Sequence, residues 1–358
     1  MNKVLFVGGS FDEEGGKPSG LVRRFIKSLN FKDITVFNGG YYNELQTLLD
    51  SVINYDVVFW WANVPNNLEK IRNVKSVNPK VILITSKNND GDRYEFPTLI
   101  NKALGDKSNL VAEFKKNNND IYDMRIFDPL GTIWYAGNDI DTCARNLLNR
   151  LLFLISITRV PSIQCNIQND ITIPDEENFF SFVKNIAETF HQIIPHDETV
   201  NRFLGNSSFR CQRGFPSFRG KDDIVFMSQR NVDKRYIDRD AFVPTVLGEN
   251  NSLYYYGDKK PSVDSSIQLR LYKILPNINY MIHAHCYIEN APFTKTAIPC
   301  GGLEEVGEIL NIIGDKNSGF YAVNLIGHGC TVMSSDVNKL SDVKFVSRNT
   351  PEYLDGII

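Results

Sequence analysis

Two histidines separated by one residue lie in the segment YMIHAHCY, where His283 and His285 flank Ala284. Side chains alternate between the two faces of an extended chain, so both imidazoles would point to the same side of a strand. Such a pair can offer two nitrogen ligands to a divalent metal ion, and a catalytic site needs a third ligand. The alternative is that both are hydrogen-bonded histidines of a protein core.

His328 is the candidate for the third ligand. It lies in VNLIGHGCTVM, an apolar run that reaches a glycine-histidine-glycine motif and is typical of a neighbouring strand. Glycines at its end would let two backbones approach closely. Three neutral imidazoles leave a position for a substrate oxygen, which is the pattern of catalytic zinc sites rather than closed structural ones. Spacing alone leaves the metal site and the core histidines equally open.

The composition is that of an ordinary globular protein, with 42% hydrophobic and 23% charged residues. A formal charge of -3 does not favour nucleic acid as a partner. We find no targeting leader and no apolar run that would span a bilayer, so we expect a cytoplasmic protein without a membrane partner. The cysteines form no CxxC pair, which favours small buried thiols in a reducing cytoplasm over a zinc–thiolate site; they are Cys143, Cys165, Cys211, Cys286, Cys300 and Cys330.

A chain of 358 residues predicts two domains. Residues 1–158 alternate apolar strand-like runs with amphipathic helix-like segments. This alternation predicts a Rossmann-like or flavodoxin-like parallel sheet covered on both faces. Residues 159–176 break both periodicities and contain prolines, so we predict a linker there. Residues 177–358 begin with the helical pattern ENFFSFVKNIAETFHQII and continue as short strands and turns.

A glycine-rich loop, VGGSFDEEGGKPSGL, follows the first predicted strand. Ligands bind at this edge of open parallel sheets, and helix N-termini attract phosphate. The spacing matches neither GxGxxG nor a Walker loop, and its three acidic residues would repel a phosphate. The loop is therefore either a ligand site, with Ser10, Gly16 and Ser19 as its candidate residues, or a structural connection.

Segments of the second half resemble, in order, the class II aldolase/adducin family of metal-dependent sugar-phosphate enzymes. FLGNSSFR resembles the GN-x-S-x-R turn, and FMSQRNVDKRYIDRDAFV resembles the strand and turn that follow it. KPSVDSSIQLRLYKILPNINYMIHAH resembles the PSS-[E/D] turn, helix and HxH strand. IPCGGLEEVGEIL and LIGHG resemble the later segments. The resemblance extends over about residues 177–340.

The resemblance implies an α/β/α domain with a mainly antiparallel central sheet. It implies that His283, His285 and His328 bind a divalent metal, usually zinc. In this family the ion stabilises an enediolate formed when a carbon–carbon bond breaks or a proton leaves. A nearby carboxylate moves protons or helps to hold the ion, and Asp264 occupies its position. The residue type alone also allows Asp264 to cap the helix that follows.

The phosphate-binding positions depart from the family pattern. Gly205 and Asn206 match its first element and Ser262 its third, but Val263 replaces a second serine. Arg230 and Asn231, after Ser228, replace a Thr/Ser-Gly pair. An arginine could bind an anion through two charge-assisted hydrogen bonds, or it could fill the space of the phosphate.

The resemblance implies an aldol-type lyase acting on a small sugar phosphate or related hydroxy-ketone. Aspartate at position 264, in KPSVD, resembles the pentulose-phosphate 4-epimerases more than the aldolases, and a dehydratase could use the same chemistry. A non-catalytic, adducin-like scaffold is the other class of function. Family members commonly form cyclic tetramers in which a partner's residue completes catalysis, which implies a homo-oligomer. Here the chain itself offers Tyr287, Glu289 and Tyr353 as substitutes.

Overall fold

The computed structural model describes residues 2–89, 91–117, 121–165, 171–194, 203–210, 224–248 and 252–354. It divides into two compact units. The first comprises Met1–Ser156 together with Thr350–Ile358, and the second comprises Ile157–Asn349. Within the described residues, no helix has the length and apolar character needed to cross a membrane.

The first unit contains one sheet flanked by helices. Its strands are β1 (Val4–Asp12), β2 (Ile34–Tyr41), β3 (Val57–Asn63), β4 (Ile82–Asn89), β5 (Leu110–Lys116), β6 (Tyr122–Phe127), β7 (Thr132–Gly137) and β18 (Glu352–Tyr353). Its helices are α1 (Gly20–Leu29), α2 (Tyr42–Asp50), α3 (Asn67–Val77), α4 (Phe96–Gly105) and α5 (Ile140–Ser156), with a 3₁₀ turn at Val52–Asn54.

The predicted parallel sheet is confirmed. The strand order is β18-β7-β6-β5-β4-β3-β1-β2, and the β2-β1-β3-β4-β5 part is parallel. This is the flavodoxin-like order. The near-continuous apolar runs of β1 and β3 follow from burial on both faces, since Val4–Val7 and Val57–Trp60 are all buried. β6 and β7 extend the sheet as antiparallel strands.

The end of the chain returns to this first sheet. β18 pairs with β7, Glu352 opposite Thr132 and Tyr353 opposite Ile133. The prediction that residues 177–358 all belong to the second domain is therefore wrong at its end. A strand of two residues is too short to produce a recognisable periodicity in the sequence. Its pairing with β7 is what assigns it to the first sheet.

The second unit contains a second sheet. Its strands are β8 (Ser162–Cys165), β9 (Asn206–Arg210), β10 (Val225–Ser228), β11 (Phe242–Leu247), β12 (Leu253–Tyr256), β13 (Tyr280–Ala284), β15 (Phe320–Leu325) and β16 (Gly329–Ser334), and a separate ribbon pairs β14 (Tyr287–Ile288) with β17 (Phe345–Val346). Its helices are α6 (Glu177–Ile193), α7 (Ser265–Ile274) and α8 (Glu304–Ile313), with 3₁₀ turns at Lys234–Tyr236, Arg239–Ala241 and Val337–Asp342.

This sheet is the predicted mainly antiparallel one, in the order β15-β16-β13-β9-β10-β11-β12-β8. One apolar cluster contains residues of α6, including Phe179, Phe180 and Phe190. A second cluster contains Ile267 of α7 and Ile309 of α8. Because alternate side chains of one strand enter different clusters, the sheet lies between two helical layers. β13 occupies an interior position, with β9 on one side and β16 on the other.

Part of the predicted linker is a strand. β8 lies within 159–176 and pairs in parallel with β12, Ser162 opposite Leu253. The linker prediction is wrong for these residues because an edge strand needs little burial, and Ile163 and Gln164 are exposed. Residues 166–170 of the predicted linker lie outside the described residues.

Candidate metal centre

The histidine pair lies at the end of β13, where the backbones at Gly205 and Gly329 approach β13 closely. His283 is opposite Asn206 of β9 and Thr331 of β16. A Cβ on Gly329 would lie 2.1 Å from the carbonyl oxygen of Ala284, and one on Gly205 would lie 2.6 Å from that of His283. Gly205 also has φ +81, which favours glycine. Glycine at both positions therefore lets the neighbouring chains approach the histidine strand.

His328 lies in the turn between β15 and β16, not at the end of a strand beside β13. The apolar run that reaches the GHG motif is β15, and β16, which follows the motif, is the strand that pairs with β13. The hairpin thus brings His328 back to the histidine pair. The run that we expected to lie beside the histidine strand is β15, and β16 separates it from β13.

The three imidazoles converge. Their ring centroids are 4.7 Å (His283–His328), 5.1 Å (His283–His285) and 5.2 Å (His285–His328) apart. One nitrogen from each ring lies within 4.8 Å of the other two. All three side chains are buried, with 4%, 8% and 1% exposure for His283, His285 and His328. The spacing prediction that His283 and His285 face the same side holds in this geometry.

Hydrogen bonds at the outer nitrogens orient two of the rings. His283 Nδ1 donates to the carbonyl oxygen of Cys330 at 2.9 Å, which leaves Nε2 to carry the lone pair. His328 Nδ1 donates to Glu305 Oε2 at 2.7 Å. Metal-binding histidines almost always have such carbonyl or carboxylate partners at the second nitrogen.

Two nitrogens of the histidine cluster are buried without a hydrogen-bond partner. Among the described residues, His283 Nε2 and His285 Nδ1 have none. A buried polar atom without a partner is costly, so the two atoms indicate a missing ligand rather than a satisfied core. Three convergent imidazoles, of which two are oriented by hydrogen bonds at Nδ1 and two have a buried nitrogen without a partner, fit a divalent ion of the zinc type.

The electrostatic environment differs between the rings. Burial, together with His328, lowers the pKa of His283 to about 4. Burial, together with His283 and His328, lowers the pKa of His285 well below its usual value. Buried Lys234 adds to both effects. Burial would also lower the pKa of His328, but Cys300 and Glu305 outweigh it and raise that pKa well above its usual value.

Asp264 faces the histidines, as the resemblance implies. Its Oδ2 lies 3.7 Å from His283 Nε2 and accepts a hydrogen bond from Asn206 Nδ2 at 3.4 Å. Its Oδ1 accepts one from the Gly301 amide at 2.7 Å. Asp264 is at the N-cap position of α7, but its carboxylate makes no capping hydrogen bond. The capping alternative is therefore wrong, and the carboxylate is directed to the site.

Sequence reasoning missed Glu305 and Cys300. Glu305 is 4% exposed in the first turn of α8, and burial raises its pKa while His328 opposes that rise. Cys300 Sγ lies 3.1 Å from His328 Nε2, and it is not one of the fully buried thiols that we expected. The signal was present in IPCGGLEEVGEIL, which holds a thiol and two carboxylates within six residues.

The predicted phosphate positions are mostly engaged within the protein. Ser228 Oγ accepts from the Ser207 amide at 3.0 Å, and Asn231 Oδ1 accepts from the Phe203 amide at 2.9 Å. The Asn206 side chain contacts Asp264 and Gln268. Ser262 is 9% exposed. Arg230 differs, because its side chain is exposed. Partial desolvation of the guanidinium lowers the pKa of Arg230, and the nearby charge of Asp264 opposes this effect.

The three candidate substitutes for a partner's catalytic residue have different positions. Tyr287 lies near the His328 turn, where its hydroxyl accepts from the Gly327 amide at 3.1 Å. Glu289 is exposed and pairs with Lys344 Nζ at 2.8 Å, as a solvated loop residue would. Tyr353 belongs to β18 of the first unit and is 59% exposed.

The glycine-rich loop of the first unit is a folded connection. The Ser10 amide donates to the Lys17 carbonyl, and the Lys17 amide donates to Ser10 Oγ at 2.8 Å. The Gly16 amide donates to Gly40. Ser19 caps α1 through Val22 and donates its own amide to Asn38 Oδ1 at 2.8 Å. These amides are therefore engaged internally, which favours the structural interpretation over a phosphate cradle.

Comparison with known proteins supports the family resemblance. Residues 184–291 match the model of the Class II Aldolase and Adducin N-terminal domain, which confirms the resemblance over that span. The span includes His283 and His285 but ends before Cys300 and His328. No curated protein has a sequence that matches this chain.

Two solved structures are similar to parts of the chain. The DNA/pantothenate metabolism flavoprotein from Streptococcus pneumoniae is 13% identical, with a TM-score of 0.34, over 43% of this chain and 99% of its own. YgbL from Klebsiella pneumoniae, to which aldolase, epimerase or decarboxylase activity is ascribed, is 10% identical, with a TM-score of 0.31, over 47% and 84%. Both TM-scores are too low to carry an argument.

Replacing Glu305 with glutamine is expected to weaken metal binding by about 10–100-fold, the usual effect of losing the partner of a metal-binding histidine. Glutamine retains an acceptor for His328 Nδ1 and the side-chain volume, so the fold should persist while the negative charge is lost. Competition with a chromophoric chelator measures the affinity. Glu304→Gln is the matched control, because Glu304 accepts from the Thr158 amide instead. Equal affinity in wild type and Glu305→Gln would contradict the assigned role of Glu305.

Proposed function

We propose that the second unit is a metal-dependent aldol-type lyase that acts on a small sugar phosphate or a related hydroxy-ketone. The observation that carries the proposal is the convergence of three buried imidazoles, two of which present nitrogens without a hydrogen-bond partner. His283, His285 and His328 would hold a divalent ion, with zinc favoured by the all-nitrogen set. When bound, such an ion supplies Lewis-acid stabilisation of an enediolate.

We propose Asp264 as the group that moves a proton. Its Oδ2 faces the histidines, while the Gly301 amide bonded to Oδ1 keeps the carboxylate in position. A carboxylate held in a fixed position beside a substrate can act as a general base. We propose that Asp264 removes and returns the proton of the substrate hydroxyl group.

We propose Arg230 as the group that binds the anionic end of the substrate. It follows β10, is exposed, and lies close enough to Asp264 for their charges to interact. A guanidinium binds a phosphate or carboxylate through two parallel hydrogen bonds. The side chains of Ser228 and Asn231 already accept hydrogen bonds from backbone amides of this protein. This supports an anion site based on arginine in place of the serine-based site that the resemblance implies.

The second candidate reaction is epimerisation through cleavage and re-addition. It is favoured by the aspartate at position 264, where the aldolases that this chain resembles carry glutamate. The two reactions share the metal centre and the proton-transfer group. They differ in whether the two cleavage fragments leave the site or are joined again. Identification of the products distinguishes the two reactions.

The test is a screen of metal-loaded enzyme against phosphorylated ketoses and aldoses, with NMR detection of cleaved and epimerised products. Enzyme stripped by a chelator is the control. Turnover that requires the metal supports the proposal, and the product identifies lyase or epimerase. A protein that binds no divalent ion after reconstitution would overturn it and favour the adducin-like scaffold.

A further inference from the structure

The thiol of Cys300 lies against the proposed metal centre. Its Sγ is 3.1 Å from His328 Nε2, the nitrogen of that ring which points away from Glu305. The ligand-capable atoms of Asp264, Cys300 and His328 lie within 4.8 Å of one another. This group shares His328 with the three-histidine group, so a sulfur atom borders the space on which the imidazoles converge.

The turn that carries Cys300 is held in place. Gly301 donates its amide to Asp264 Oδ1 at 2.7 Å, and its φ of +75 favours glycine. The Gly302 amide donates to the Pro299 carbonyl, and α8 begins two residues later. A ligand on a short braced turn keeps its position before the ion arrives.

We propose that Cys300 is a metal ligand that sets the metal preference of this site. The inference rests on the proposed metal centre and adds a thiolate to its three imidazoles. A soft sulfur ligand favours Zn²⁺ and Co²⁺ over Mg²⁺ and Mn²⁺, which prefer oxygen. The Cys300 thiol releases its proton to solvent when it binds the ion, and no electron is transferred.

Asp264 competes poorly for the same role. Both of its oxygens already accept hydrogen bonds, Oδ1 from Gly301 and Oδ2 from Asn206. By contrast, Cys300 Sγ contacts His328 Nε2, a nitrogen that metal binding itself would occupy. Ligation by Cys300 therefore replaces one contact, whereas the two hydrogen bonds of Asp264 hold its carboxylate in its present position.

The other described cysteines have different surroundings. Cys286 and Cys330 are buried in the apolar cluster that α6 covers, and Cys165 packs against that cluster from β8. Cys143 is buried in α5 of the first unit. Among the described cysteines, Cys300 is the one that belongs to a ligand-capable group.

The test is titration of the metal-free full chain with Co²⁺ alone, followed by absorption spectroscopy and elemental analysis. A thiolate bound to Co²⁺ produces a sulfur-to-metal charge-transfer band in the near ultraviolet. We expect the band in wild type and in the matched control Cys165→Ser. We expect Cys300→Ser to bind Co²⁺ through its histidines without the band.

The outcomes separate this inference from the proposed function. Wild type that binds Co²⁺ without the band overturns the ligand role of Cys300 and leaves the three-histidine centre intact. Wild type that binds no Co²⁺ overturns both. In a second measurement, the ratio of Zn²⁺ to Mn²⁺ affinity should fall at least about tenfold in Cys300→Ser, since a soft ligand is lost. An unchanged ratio would contradict the proposed metal preference.

Discussion

Replacement of His328 or His283 by alanine is expected to reduce the bound metal from about one ion per chain to a small fraction of that, and to abolish turnover. Each change removes one of three imidazole ligands from a buried site. Loss of a partner outside the coordination shell already weakens binding about 10–100-fold, so loss of a ligand should exceed this. Elemental analysis after dialysis measures the effect.

The control for the histidine variants separates metal loss from unfolding. His191→Ala changes a histidine of α6 that belongs to neither ligand-capable group. His283→Ala also removes the donor to the Cys330 carbonyl, so its thermal unfolding must be compared with that of metal-free wild type. Folded variants that retain a full complement of metal would show that the histidines do not hold the ion.

Asp264→Asn is expected to reduce kcat by about 10²–10⁴-fold, the range attributed to one general acid or base, while the metal content stays unchanged. Asparagine can still accept the Gly301 amide through Oδ1, so the turn that carries Cys300 should keep its position. Because asparagine does not take up a proton, proton transfer is lost selectively. The measurements are kcat and elemental analysis on the same preparation.

Asp264→Glu is the companion variant. It keeps a carboxylate at this position, and glutamate is the residue that the aldolases of the resembled family carry there. It should retain more activity than Asp264→Asn despite its longer side chain. A loss of metal that accompanies the loss of activity in Asp264→Asn would identify Asp264 as a ligand. Full activity of Asp264→Asn would remove it from the mechanism.

Local periodicity predicted much of the fold correctly. The alternation of apolar strands and amphipathic helices predicted the parallel sheet of the first unit. The spacing of His283 and His285 predicted that both rings share one side. Each of these properties depends on residues that are neighbours in sequence.

Short-range spacing and ordered motifs were enough to predict the types of the main elements and the candidate ligands. The pairing of β18 with the first sheet and of β8 with the second became visible only in the folded protein. The folded protein also shows that Glu305 and Cys300, which are 23 and 28 residues from His328 in the chain, contact that ring. Such contacts depend on strand pairing and hairpin register, which no local pattern specifies.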